Sequence, residues 1–287
     1  MRNTPSSHGR RPRSGGRRRL VHIVGALMGA LAVAAGTVLM SPPFRDAAER
    51  LLGLAGERTG ALVIPEGWRA AQVYAAVDAA LGERPGTTRR AVATAELRLP
   101  AAARGNPEGY LFPATYPIDS GTTPHGLLRY MVGTAHERFG GDRGTPGARR
   151  GAATDYRTVT IASVAQAEAD TARDMGKVAR VVYNRLARGM PLQMDSTLNY
   201  ALNRSTLDTT IADTRIAGPY NSYARRGLPP TPIDNPGEAA VRAALDPPPG
   251  EWLYFVTVAP GDTRFSVDYP EHQRHVAEFN ARRARAR

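Results

Sequence analysis

Between Leu20 and Met40 the chain reads LVHIVGALMGALAVAAGTVLM, twenty-one residues without a full charge. At about 1.5 Å rise per residue, a helix of that length matches a hydrocarbon core of ~30 Å, so the segment predicts a transmembrane helix. Arg17, Arg18 and Arg19 come directly before it, whereas Arg45 after it is offset by Asp46 and Glu49. The positive-inside rule then keeps residues 1–19 in the cytoplasm as a basic tail and sends everything beyond Met40 to the outer side. A cleaved signal peptide, with Ala32-Val33-Ala34 as its small-residue site, is the competing reading, but its apolar core ordinarily runs to only about 7–15 residues.

Charge sharpens this division. The chain has 287 residues and a net charge of +12. Seven Arg lie within residues 1–20 and four more within Arg282–Arg287, and setting both ends aside leaves 27 basic against 26 acidic residues. A nucleic-acid-binding domain needs its basic stripe inside the folded part, so no nucleic-acid partner is expected. Cysteine is absent, which removes disulfides, thiolate metal sites and cysteine nucleophiles.

Beyond the span, residues 41–60 read as a connector. ALVIP from Ala61 suits a strand, and AAQVYAAVDAALG a helix closed by Gly82, with a second helix around Thr88–Glu96. In LRLPAAARGNPEGYLFPATYPI, Pro and Gly exclude helix and the aromatics suggest packed extended chain. Gly140–Gly151 reads as a mobile loop. Thr158–Asp170 places Ile161, Val164, Ala165 and Glu168 on one helical stripe, and Asp174–Arg188 is a further helix. Met190–Tyr200 and Gly218–Gly237 read as polar loops, Glu238–Leu245 as a short helix, Trp252–Val258 and Phe265–Val267 as strands, and Pro270–Arg282 as the last helix. Helices and strands without a regular βαβ alternation make the fold class α+β.

The chain lacks G-x-S-x-G, P-loop and G-x-G-x-x-G signatures. Its one close His pair, His272 and His275, fits a solvent-facing helix and lacks a third ligand, so neither a metal nor a cofactor is expected. Carboxylate chemistry remains. A Glu on an apolar face is desolvated, which favours the neutral acid that glycosidic cleavage requires, and Glu168 is that candidate. The plainer alternative is a boundary Glu that reaches water or pairs with an Arg such as Arg185. Gln193, Tyr220, Asn221, Tyr223 and Asn235 are residue types that stack on and hydrogen-bond to sugars, although Asn also shapes turns.

Eight segments taken together, IPEGW (64–68), PEGYLFPATYPI (107–118), IASVAQAEA (161–169), KVARVVYNRLARGMPLQMDSTLNYAL (177–202), PYNSY (219–223), GLPPTPIDNPG (227–237), LYFV (253–256) and EHQRHVAEF (271–279), resemble in that order the endolytic transglycosylase MltG, or YceG-like, family. The resemblance implies a small, truncated LysM-like α/β part at 61–105 and a YceG-like catalytic domain at 106–285. It implies a lyase that cuts the β-1,4 bond between N-acetylmuramic acid and N-acetylglucosamine inside nascent peptidoglycan strands and leaves 1,6-anhydro ends. It also implies a single-pass cell-membrane protein that works beside peptidoglycan synthases. The family's essential acid is the second glutamate of its ASIVEKE-like helix, which falls on Glu168, while the first is Gln166 here. Substrate-binding roles fall by matching position on Glu108, Gln193, Asp195, Thr197, Tyr220, Asn221, Tyr223 and Asn235. Ser196 stands where the family's QxDPT-like motif has Pro, a change expected to affect stiffness more than chemistry. Two rival readings are a non-catalytic glycan- or synthase-binding scaffold and a plain muramidase with Asp195 or Glu108 as the base for water.

Overall fold

A computed structural model describes residues 60–140, 155–204 and 209–285. The expected basic tail, transmembrane helix and connector up to residue 59 lie outside the described residues, as do residues 141–151 of the predicted loop. Among the described residues no helix is long and apolar enough to cross a membrane.

Strand β1 (Gly60–Val63) pairs antiparallel with β2 (Thr115–Ile118), so this pairing crosses the boundary drawn at residues 105 and 106. Between them lie α1 (Ala70–Leu81) and α2 (Thr87–Ala91). Gly82, at φ 68°, ends α1, and buried Asp78 then gathers the next turn by accepting from Gly86 N, Thr88 N and Thr88 Oγ1. Residues 101–103 form a single 3-10 turn within the segment read as extended.

Helix α3 (Pro124–Phe139) has no counterpart in the sequence reading. Its start is nevertheless well signalled, with Thr123 Oγ1 accepting from Gly126 N and Pro124 at the first helical position. The central helix α4 (Tyr156–Glu168) is capped by Asp155, which accepts from Thr158 N. Every residue from Val159 to Ala165 is buried, so α4 is enclosed on all sides rather than along one apolar stripe. Helix α5 (Ala172–Ala187) and α7 (Glu238–Leu245) pack against α4 and against each other, and Val178, Val181, Val182, Val241 and Ala244 fill the space between them.

Within Met190–Tyr200, read as a loop, the chain forms the short helix α6 (Asp195–Ala201). A helix of seven residues is too short to hold by propensity and depends on burying Thr197, Leu198 and Asn199. The hairpin β3 (Tyr254–Ala259) and β4 (Asp262–Ser266) carries α8 (Tyr269–Arg285) on it. The two histidines of α8 face that hairpin rather than solvent: His272 stacks on Tyr254, and His275 Nδ1 lies 3.0 Å from Ser266 Oγ.

Candidate active site

Helix α4 stops at Glu168 because Ala169 turns to extended backbone. The carboxyl therefore leaves the closed core at its rim, beside the first turn of α6. Ser196 donates twice to the same oxygen, Oγ to Glu168 Oε1 at 2.7 Å and its backbone N–H at 3.3 Å. Among the described residues Oε2 accepts no hydrogen bond. Burial raises the Glu168 pKa, and the neighbouring Asp195 carboxylate adds to the rise, while the two Ser196 bonds oppose it. The balance favours the neutral acid.

Arg185 does not pair with Glu168. It is buried on α5, and its guanidinium donates to the carbonyls of Leu253, Pro191 and Leu192 and to Gln193 Oε1. Those bonds fix the strand of chain that leads into α6. Gln193 sits there in a left-handed conformation, φ 51°, with its N–H on Ser222 O. Opposite, Ser222 Oγ accepts from Met194 N, and Thr197 Oγ1 bonds both that hydroxyl and Met194 O. The 219–223 loop is thereby set against α6. This brings the Tyr223 hydroxyl onto Asp195 Oδ1 as a hydrogen-bond donor. Burial raises the Tyr223 pKa, as do its bond to Asp195 and the charges of Asp195 and Glu168.

Of the residues expected from sequence, Glu168, Asp195 and Tyr223 thus share one group, with Gln193 at its exposed edge. Tyr220 stands further along the loop, its ring 5.1 Å from Tyr200 and its hydroxyl on Thr231. Asn221 is turned inward, where Nδ2 donates to Thr214 O and Ile216 O and Oδ1 accepts from Tyr223 N and Ala224 N.

Glu108 and Asn235 form a second group. Glu108 is 3% exposed, and its Oε1 accepts from Ala70 N and Asn235 Nδ2 while Oε2 accepts from the Tyr200 hydroxyl. Burial pushes its carboxyl up to about 7, against the bonds from Ala70 and Tyr200 and the charge of Arg69. Asn235 further donates to Trp68 O and accepts from Leu111 N, joining the 64–68 turn, the 107–113 segment and the 227–237 loop. Gly109 lets these segments meet: its φ is +87°, and a Cβ there would lie 2.6 Å from Pro232 Cγ. A groove of 760 Å³ along α1 includes Glu108 and Tyr74 in its wall but no member of the Glu168 group.

Sequence reasoning missed Ser196 as the partner of Glu168. Gln166, at the family's first motif glutamate, accepts at Oε1 from Gly237 N and, with Ser163 Oγ accepting from Ile233 N, pins the 227–237 loop to α4. Among the described residues no cluster of three His, Cys, Asp or Glu side chains could hold a metal ion.

Residues 19–278 match the model of the YceG-like family. The chain belongs to this family. Two curated relatives are named endolytic murein transglycosylase. The one from Bacillus subtilis (strain 168) is 34% identical over 171 residues, which cover 58% of this chain and 46% of the relative. The other, from Streptococcus pneumoniae serotype 2 (strain D39 / NCTC 7466), is 35% identical over 184 residues, covering 62% of this chain and 33% of the relative. The matches thus span less than half the length of these relatives. A crystal structure of a YceG-like protein from Listeria monocytogenes matches with a TM-score of 0.63 and 26% identity over 80% of each chain. The mixed α and β content of the YceG-like fold agrees with the α+β class expected from sequence.

Proposed function

We propose that this YceG-like chain is an endolytic peptidoglycan lytic transglycosylase, held in the cell membrane by residues 20–40 with residues 61–285 on the outer side, and that Glu168 is its acid and then its base. The observation that carries the proposal is the Glu168 carboxyl: raised in pKa, fixed through Oε1, open at Oε2. As a neutral acid it donates the Oε2 proton to the glycosidic oxygen as the bond to C1 of the N-acetylmuramic acid breaks. The resulting carboxylate then takes the proton of that sugar's C6 hydroxyl while O6 bonds to C1. One carboxyl group completes the cycle, and a 1,6-anhydro ring replaces the hydroxyl that water would have left.

A muramidase needs a second carboxylate free to activate water. Both Glu108 oxygens are occupied by internal donors, which weighs against Glu108 as that base, while Asp195 is held by the Tyr223 hydroxyl on Oδ1. Gln193, Tyr220, Asp195 and Tyr223 are proposed to contact the glycan. Thr197, Asn221, Glu108 and Asn235 act on it through the loops they brace. Nascent strands and the synthases that make them are the proposed partners.

Digestion of purified peptidoglycan by the full chain, followed by mass spectrometry, tests the assignment. Products with anhydro ends, lighter by one water than hydrolytic ends, support it. Hydrolytic ends would establish the muramidase instead, and a correctly folded chain that releases nothing would point to the scaffold.

A further inference from the structure

Resting on the reading of Glu168 as the general acid, we propose that Ser196 is a positioning residue that occupies Oε1 of Glu168 and so confines the transferable proton to Oε2. Both of its donors, the hydroxyl and the backbone N–H, converge on Oε1 from the second residue of α6. No other donor reaches the Glu168 carboxyl among the described residues. A carboxylic acid whose Oε1 already accepts two hydrogen bonds holds its proton on the other oxygen, which is the one left open here.

The same contact limits how far burial can neutralise Glu168, since a hydroxyl donating to a carboxylate favours the charged form. Asp195, one residue earlier, is the charged group acting on Glu168, and it raises the pKa. Tyr223 caps Asp195, while Arg185 directs its donors to backbone carbonyls and Gln193. Ser196 is therefore the one group in this set that pulls Glu168 towards ionisation. It fixes which oxygen carries the proton and lowers the pH at which the proton leaves, against the larger effect of burial. A proline at 196 would fit the first turn of a helix but would supply neither donor.

Substitution at Ser196 in the full chain, read by two measurements, tests this. Infrared titration follows the Glu168 carboxyl, identified by its loss in Glu168→Gln, and the pH dependence of kcat/KM follows cleavage. Ser196→Ala is expected to move the Glu168 titration and the basic limb of the rate profile upward together by roughly one pH unit or more. It should also lower kcat about tenfold at unchanged KM, because the proton is no longer confined to one oxygen. Ser196→Pro should move both further, and Ser196→Thr, which keeps the hydroxyl, should restore both. A Glu168 titration unmoved in the Ala and Pro variants would overturn the proposal, as would Thr failing to rescue. Full activity in Glu168→Gln would remove the general-acid reading instead, and the infrared shift distinguishes that failure from this one.

Discussion

Two glutamates in this molecule, Glu108 buried and Glu168 half-buried, share a raised pKa and differ in what surrounds their oxygens. Glu108 has donors on both: two on Oε1, from Ala70 and Asn235, and the Tyr200 hydroxyl on Oε2. Glu168 has donors on one oxygen only, both from Ser196. Desolvation is the first cause of the rise at each site. A perturbed pKa therefore does not separate a reacting acid from a structural one. Under the proposed mechanism the free oxygen does, because of these two only Glu168 has an oxygen at which a proton can pass to a substrate without first breaking an internal bond. Tyr200, on the same short helix α6 as Ser196, joins the two sites through backbone.

The largest expected effect breaks the pair apart by activity. Glu168→Gln keeps the shape but cannot donate, and loss of a general acid costs about 10²–10⁴-fold in rate. Its stability should hold or rise slightly at neutral pH, because the native state no longer has to bury an ionisable carboxyl. Anhydro-product release and thermal unfolding measured on the same preparation check both halves. Stability lost in step with activity would make Glu168 a structural group like Glu108.

Glu108→Ala should show the reverse. It leaves Ala70 N, Asn235 Nδ2 and the Tyr200 hydroxyl without their acceptor in the interior, which costs about 3 kcal/mol or more in total. The rate per folded molecule should stay within a few-fold of wild type. Chemical denaturation combined with activity normalised to the folded fraction separates the two effects.

These sites were unequally legible in the sequence, and the reasons are physical. Glu168 could be read because a carboxyl at the end of an apolar run, IASVAQAEA, is conspicuous. The stripe itself misled, since α4 is buried all round from Val159 to Ala165 and only its two ends reach a surface. Helix α3 carried a complete local signal, Thr123-Pro124 followed by Leu127, Leu128, Met131, Val132 and Ala135 at helical spacing, and could have been found from it. Helix α6 could not, because its seven residues begin without a side-chain cap and are held by burial against neighbours distant in sequence. Ser196 lay in a recognised motif, but its contact with Glu168 spans 28 positions and depends on where α6 forms. Glu108 is singled out in the sequence only by its matching position in the family resemblance, as a substrate-binding residue. Only the folded chain brings Ala70, Tyr200 and Asn235 onto its carboxyl.

A pH titration of stability sharpens the comparison from the Glu108 side. With the native carboxyl raised to about 7 from an ordinary 4.5, the native state binds more protons than the unfolded chain between those values. Its contribution is fully present below the ordinary value and is lost as pH rises through about 7, a total of about 3 kcal/mol. Glu108→Gln, which keeps an acceptor for Ala70 N, should flatten that slope. An unchanged slope in this variant would assign the pH dependence to other groups, Glu168 and Asp234 among them, since burial raises both.

The smallest expected effect tests the cap on the neighbour of Glu168. Tyr223→Phe removes one hydroxyl donor from Asp195 and leaves in place the backbone bond of Tyr223 N to Asn221 Oδ1 that shapes the 219–223 loop. A hydrogen bond to a charged acceptor at a partly exposed site contributes about 1–2 kcal/mol, so a modest loss of stability is expected, with a rate reduced several-fold. The products are the more telling readout. With Asp195 uncapped, both of its oxygens are free beside Glu168, and water activated by them would divert part of the reaction to hydrolytic ends. Products that stay entirely anhydro in Tyr223→Phe would show that the intramolecular C6 hydroxyl excludes water unaided. A measurable hydrolytic fraction would give the Tyr223 hydroxyl a second task, keeping the second carboxylate of the site out of the chemistry.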